Sequence, residues 1–188
     1  MKKLSILLLP VLLVAFAGCG DDAATLNGDN LTRMATSTVE SSVITAVAAS
    51  GSKSGTKGVT PLPLDVNWTN LEGTVHVEGT VTYTGETNTY SMTVTFTAYT
   101  GADETDSYTL SGTVTYNGSM TSSTKIFNYI GDLDVLFGGE THEYLWNIAL
   151  TMDIDGDYYA YHYTGNYTLD GTDSSYSYSW WSSIHTIP

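Results

Sequence analysis

Between Leu71 and Tyr99 the chain alternates side chains with a period of two, and this limits the fold more than any other property of the sequence. Val75, Val77, Val81 and Tyr83 hold odd positions, with Thr74, His76, Glu78, Thr80 and Thr82 between them. After Gly85 the parity reverses: Tyr90, Met92, Val94, Phe96 and Ala98 are even, and threonines and Ser91 fill the gaps. β-Branched and aromatic residues at every second position mark strands with one buried face. A four-residue loop from Gly85 to Asn88 predicts Tyr83 opposite Tyr90, Val81 opposite Met92 and Val77 opposite Phe96. Both strands then turn their apolar residues to one side, an arrangement that a one-residue slip destroys.

The same pattern continues. Tyr108, Leu110, Val114 and Tyr116 alternate with Ser and Thr up to Asn117-Gly118, a hairpin signal. A turn there with one bulged residue predicts Met120 and Ile126 on the apolar face and keeps Lys125 off it. Leu133, Val135 and Phe137 read as a short strand ended by Gly138-Gly139. Two longer runs follow, Trp146 to Ile154 and Tyr159 to Leu169. Loops at Asp155–Tyr158 and Asp170–Asp173 pair Ile154 with Tyr159, Trp146 with Tyr167, Tyr167 with Tyr176, and Tyr163 with Trp180. Gly79, Gly112 and Gly165 fall on the apolar face inside strands, with Gly79 predicted opposite Val94, and they predict bends. The expected fold is mostly all-β: a strongly curved antiparallel meander of about eight strands, closed as a barrel or open as a half-barrel.

Before the strands, the chain changes character several times. Met1-Lys2-Lys3 is basic, Leu4 to Ala17 is an apolar run interrupted by Pro10, and it ends in Ala17-Gly18-Cys19. The apolar run is shorter than the roughly 20 residues of a membrane span and suits a secretory signal. These residues resemble the N-terminus of a bacterial lipoprotein precursor, with Ala17-Gly18-Cys19 similar to the end of the lipobox and Phe16 where Leu is usual. The resemblance covers about the first 20 residues. It implies cleavage after Gly18, acylation of Cys19, and a lipid anchor that buries about 0.8 kcal/mol per methylene. With Gly20 after the cysteine, the sorting rule implies the outer membrane. Residues 1–18 are thus expected to be signal, 19–30 a tether and 31–50 an amphipathic helix capped by Asn30 or Asp29. Residues 51–65 are expected to be a flexible linker and 66–188 the β-domain. The helix is a candidate plug for an open sheet.

The chain carries 20 acidic residues against 6 basic ones. That balance excludes phosphate-backbone binding and, with it, nucleic acid. One cysteine excludes an internal disulfide. Gly51 to Gly58 has phosphate-loop composition without the required spacing. His76, His142, His162 and His185 show no metal-ligand spacing. Asp153 to Asp157 has only part of a calcium loop and reads as a turn. No Gly-x-Ser-x-Gly occurs, and the sole thiol is assigned to lipid, so neither catalytic residues nor a cofactor are expected. Tyr159, Tyr161, Tyr163, Tyr167, Tyr176, Tyr178 and Trp180 form one aromatic stripe. Tyrosine is a demanding core residue because every buried hydroxyl needs a partner. The stripe therefore predicts either core, or a concave face that takes a hydrophobic or sugar-like ligand or an envelope partner. The expected function is a non-enzymatic, lipid-anchored envelope protein of that kind. The alternatives are a purely structural envelope lipoprotein and an eight-stranded outer-membrane barrel.

Overall fold

The computed structural model describes residues 26–50, 60–70, 73–102, 107–155 and 158–183. The expected signal and lipobox, with Cys19, and residues 51–59 of the expected linker lie outside the described residues. One helix, α1 (Gly28–Ala49), precedes eight strands: β1 (Thr60–Asn70), β2 (Gly73–Thr84), β3 (Thr87–Ala102), β4 (Ser107–Met120), β5 (Lys125–Phe137), β6 (Glu140–Asp155), β7 (Tyr158–Leu169) and β8 (Thr172–Ser183). Each strand pairs antiparallel with its neighbours in sequence, so the sheet order is the chain order from β1 to β8. The meander does not close, because β1 and β8 are not partners.

Alternation decides which way every strand faces. In β5 the odd residues Phe127, Tyr129, Leu133 and Val135 are buried, and the even residues between them are exposed. The same holds for Val75, Val77 and Val81 in β2, and for Tyr144, Trp146, Ile148, Leu150 and Met152 in β6. All of them share one core with Leu31, Ala35, Val39, Val43 and Ala46 of α1. The sheet is therefore a half-barrel, and the helix lies in its concavity as the plug. Only the open version of the expected curved meander is found. The closed alternative fails, and with it the membrane barrel, which needs a closed sheet with its apolar band facing outward.

Register differs from expectation where the turns are tighter. Gly85-Glu86 and Asp170-Gly171 are two-residue turns, not four-residue loops. Asp170 and Gly171 both hold positive φ, as a type I′ hairpin requires. Val81 thus faces Tyr90, Val77 faces Val94, and Gly79 faces Met92. Likewise Tyr163 faces Tyr178, and Tyr167 faces Ser174. A shift of two leaves every side chain on its expected face. The pairs Ile154–Tyr159 and Trp146–Tyr167 are found as expected. In β3 a bulge between Phe96 and Tyr99 moves Ala98 to an exposed position and packs Tyr99 against the core.

Asn117-Gly118 is not a turn. β4 pairs straight through it, with Gly118 between Tyr90 and Phe127. The missing side chain makes room for the Phe127 ring, which stacks on Tyr116 at 4.7 Å. The chain reverses instead at residues 121–124, where Thr121 Oγ1 accepts from the Thr124 N–H at 3.0 Å. This later turn merges the expected short strand into the full β5. It leaves Ile126 54% exposed on the convex face and turns Lys125 inward. Met120 packs against the core as expected.

Residues 60–65, expected as the end of a linker, are paired strand, so the sheet starts at Thr60. Proline is tolerated there because β1 is an edge and needs donors on one side only. The helix also begins earlier than expected. Asn27 caps it, its side chain accepting from the Asp29 N–H at 2.8 Å and from the Asn30 N–H.

On the concave face, glycines stand where a neighbouring strand or ring fills the place of a side chain. Gly79 lies between Leu64 and Met92 at φ +140°, and a Cβ there would sit 2.2 Å from the Ser91 carbonyl oxygen. Gly131 has Trp146 as its neighbour, and the indole nitrogen occupies the place of the missing Cβ, 1.3 Å from it. Gly79→Ala should therefore cost about 3 kcal/mol, since it adds a strained φ to a clash with backbone. Urea unfolding checks this; a loss under about 0.5 kcal/mol, the scale of an ordinary surface substitution, would show that the approach of Ser91 to Gly79 is not tight.

Candidate functional site

The seven residues of the aromatic stripe all lie on the concave side, four on β7 and three on β8. Tyr161, Tyr163 and Tyr176 are buried, while Tyr159, Tyr167, Tyr178 and Trp180 are half-buried. Tyr161 stacks on Trp180, with centroids 4.2 Å apart and planes 2° from parallel. The face they form is not an open pocket, because α1 covers much of it. Two shallow depressions lie elsewhere, one bordered by Asp65, Glu78 and Thr93, the other by Ile130, Leu145 and Asn166. Of the stripe only Tyr167 borders either one.

The helix supplies what the ring hydroxyls need. Thr32 Oγ1 donates to the Gly28 carbonyl at 2.7 Å, so the Tyr144 hydroxyl, in contact with the same oxygen, is the donor of that pair. Thr38 Oγ1 donates to the Met34 carbonyl and lies 3.5 Å from the Tyr108 hydroxyl. Tyr167 shares hydrogen bonds with Asp29 and Ser174, and its ring crowds the position of a Gly28 Cβ. Arg33 lies over the Tyr178 ring at 5.5 Å.

Glu40 is the centre of this network. The Tyr129 hydroxyl donates to its Oε1 at 2.5 Å, and the Tyr163 hydroxyl approaches the same atom at 3.5 Å. Trp180 in turn hydrogen-bonds the Tyr163 hydroxyl. Glu40 as a residue keeps some exposed surface, but its carboxyl group is enclosed by these rings. Burial raises its pKa; the hydrogen bonds from Tyr129 and Tyr163 and the charge of Lys125 pull it back only in part. Lys125, 5.4 Å above the Tyr161 ring, has its own pKa lowered by burial, with Glu40 opposing the shift. Burial also pushes Tyr116, Tyr129 and Tyr163 up, so these phenols stay neutral, and Tyr129 and Tyr163 point their hydroxyls at Glu40.

Neither Glu40 nor Lys125 figured among the sequence-derived site residues. One signal for Glu40 was available: it lies four residues after Thr36 and three before Val43, beside the buried stripe of α1. The histidines stay apart on the polar face or the rim. His76 meets Asp65 at 2.9 Å, His142 meets Asp170 at 2.7 Å, and His162 meets Ser179. Among the described residues no three metal-ligating side chains converge. His185, Gly156 and Asp157 lie outside the described residues. Compared with protein-family models, curated proteins and solved structures, the chain finds no match in any of the three.

A raised carboxyl pKa makes stability depend on pH with a definite sign. Between the unfolded value, near 4.5, and the raised native value, the folded state holds more protons than the unfolded state. Stability attributable to Glu40 is thus full at low pH and falls as pH rises through that window. Glu40→Gln keeps an acceptor for Tyr129 and should flatten this fall, leaving the variant at least as stable as the parent at pH 8. Glu40→Ala should cost about 1–3 kcal/mol at pH 4, because it orphans the buried Tyr129 hydroxyl. Denaturant titrations at several pH values check both. An unchanged slope in Glu40→Gln would place the titration on another group.

Proposed function

We propose that this chain is a lipid-anchored, non-enzymatic protein of the cell envelope, a rigid helix-filled half-barrel that acts through its outer surface and edges. The observation that carries the reading is the placement of α1. It occupies the concavity in which a small ligand would otherwise lie, and its Thr32, Thr38 and Glu40 meet tyrosine hydroxyls that a ligand would otherwise satisfy. The large tyrosine content is then explained by internal pairing. Of the expected roles, this favours a structural or partner-binding lipoprotein over a carrier of small molecules. The basic start, the apolar run and Ala17-Gly18-Cys19 support the anchor, in the outer membrane as Gly20 implies.

An anchor at Cys19 also orients the domain. Six residues separate Cys19 from Leu26, a reach of at most about 25 Å over the seven steps. Gly28 lies against Tyr167, near the β7–β8 turn, so that end of the sheet is held toward the bilayer. The same end carries Glu140, Glu143, Asp170 and Asp173, which anionic headgroups repel. The tether and this acidic rim act together to hold the domain off the membrane, with the β2–β3 and β4–β5 turns pointing away from it.

A second reading has one feature in its favour: Tyr159, Tyr178 and Trp180 stay half-exposed along β7 and β8, a start for an apolar ligand if the helix withdraws. Fractionation and mass spectrometry separate the two. The Cys19→Ser chain should move from the carbonate-resistant membrane fraction to the soluble fraction, and its native mass should be that of protein alone. Continued membrane retention would remove the anchor reading. A co-purifying lipid or glycan mass would favour the carrier.

A further inference from the structure

The two edges of the open sheet are built differently. β1 carries Pro61 and Pro63, and because strands alternate, both missing N–H groups belong to the same side. β1 keeps its ladder to β2, so that side is the outward one, and a further strand would find two donors absent. β8 has no proline, no lysine and no glycine along Thr172–Ser183. It pairs with β7 alone, and among the described residues no strand lies on its other side. At about 3.3 Å per residue this is an edge roughly 40 Å long.

We propose that β8 is an interaction edge and that its partner is β8 of a second copy, joined antiparallel about a two-fold axis at Tyr178. The strand complements itself in that register. Tyr178 faces its own copy, Tyr176 faces Trp180, Ser177 faces Ser179, Ser175 faces Trp181, and Ser174 faces Ser182. Aromatic residues of the concave side meet aromatic residues and serines meet serines, except that Ser175 meets Trp181 on the convex side. The even sum of paired numbers keeps concave with concave across the axis, so the two half-barrels continue as one sheet. The overlap from Ser174 to Ser182 carries about eight inter-strand backbone bonds, within the range of an ordinary specific interface. Trp181, 58% exposed on the convex side, and the half-buried Tyr178 and Trp180 gain cover.

Charge selects this edge for self-association. The chain has a formal charge of −14, so two copies repel over most of their surfaces. Ser174 to Ser183 holds no acidic residue at all. Charge near the strand comes from Asp173 at its start, from Asp29 near Tyr176 and from Arg33 over the Tyr178 ring. Two copies meeting at β8 bring few like charges together, and salt screens the repulsion of the rest. Self-association through β8 must therefore tighten as ionic strength rises, the reverse of a dimer held by ion pairs.

Sedimentation equilibrium of the full chain carrying Cys19→Ser, from 50 mM to 500 mM NaCl, tests this whether or not Cys19 is lipidated in the cell. The expected result is a monomer–dimer equilibrium whose Kd falls with salt. Adding Ser177→Lys and Ser179→Lys places lysines opposite each other on an exposed face and should raise Kd by about tenfold or more, with an unchanged thermal melt. In the Cys19→Ser background, Tyr178→Cys should cross-link to a dimer under mild oxidation much faster than Ser175→Cys, which faces Trp181. This second readout decides the matter if the lysine pair perturbs folding. A monomer at every salt concentration would overturn the proposal. So would a dimer indifferent to the lysine pair, one that weakens with salt, or equal cross-linking at both cysteines.

Discussion

Everything in this architecture depends on the pairing of tyrosine hydroxyls on the sheet with polar side chains on a helix. A sheet face rich in tyrosine presents large rings that favour burial and hydroxyls that oppose it. An unpaired buried hydroxyl costs about 1–3 kcal/mol, which would cancel most of the gain from burying its ring. Packing the face against leucines and valines alone would leave that cost in place. α1 removes it for Tyr108, Tyr129 and Tyr144 by carrying Thr38, Glu40 and Thr32 among its apolar residues. This explains a helix so rich in threonine and serine despite their modest helix propensity. Thr32, Thr36 and Thr38 also bond their own i−4 carbonyls, which leaves each hydroxyl oxygen free to accept from the sheet.

Glu40 is the extreme case of the same logic. It is enclosed with Tyr129 and Tyr163 as its partners and with Lys125 near enough to act on its charge. Two ionisable groups in an otherwise aromatic core cost desolvation whichever way their protons are placed. What they add is specificity of position. A helix of small apolar and hydroxyl residues has many similar seatings in a smooth trough. A carboxyl group that must meet two particular phenols has one.

The parity of the strands was legible before any coordinates because face is a property of period, and period survives small errors of register. Moving β2–β3 or β7–β8 by two residues changed every partner and no face. Turn length was harder to read. Asp170-Gly171 carries the side chains a two-residue type I′ turn demands, and its strength lay hidden behind Asp173, which extended the polar stretch. Asn117-Gly118 carries the same signal and forms no turn. There, pairing to β3 on one side and β5 on the other, with Phe127 packed over Gly118, outweighs local preference. Lys125 was excluded from the apolar face on charge alone, although its stem and its place above Tyr161 suit that face. β1 was hidden by its prolines, which in an edge strand mark the outward side. Glu40 was out of reach for a different reason. Nothing in a linear pattern states which acid on a helix will meet tyrosines some 90 and 120 residues away.

The helix also decides that the sheet stays open. An eight-stranded closed barrel has an interior just wide enough for its own side chains, whereas a helix with its side chains needs about 10–12 Å of clear width. With rings as large as Tyr129, Tyr144 and Trp146 already pointing inward, closure and the helix exclude each other. Admitting α1 therefore leaves a sheet with strands of up to 16 residues whose two edges have, among the described residues, no further strand. Free edges of that length invite association, and each must be guarded or used. The prolines of β1 guard one. At β8 the chain places an uncharged run of alternating serine and aromatic residues in an otherwise acidic protein. The need to house tyrosine hydroxyls thus leads, through the helix and the open sheet, to the character of a single edge strand.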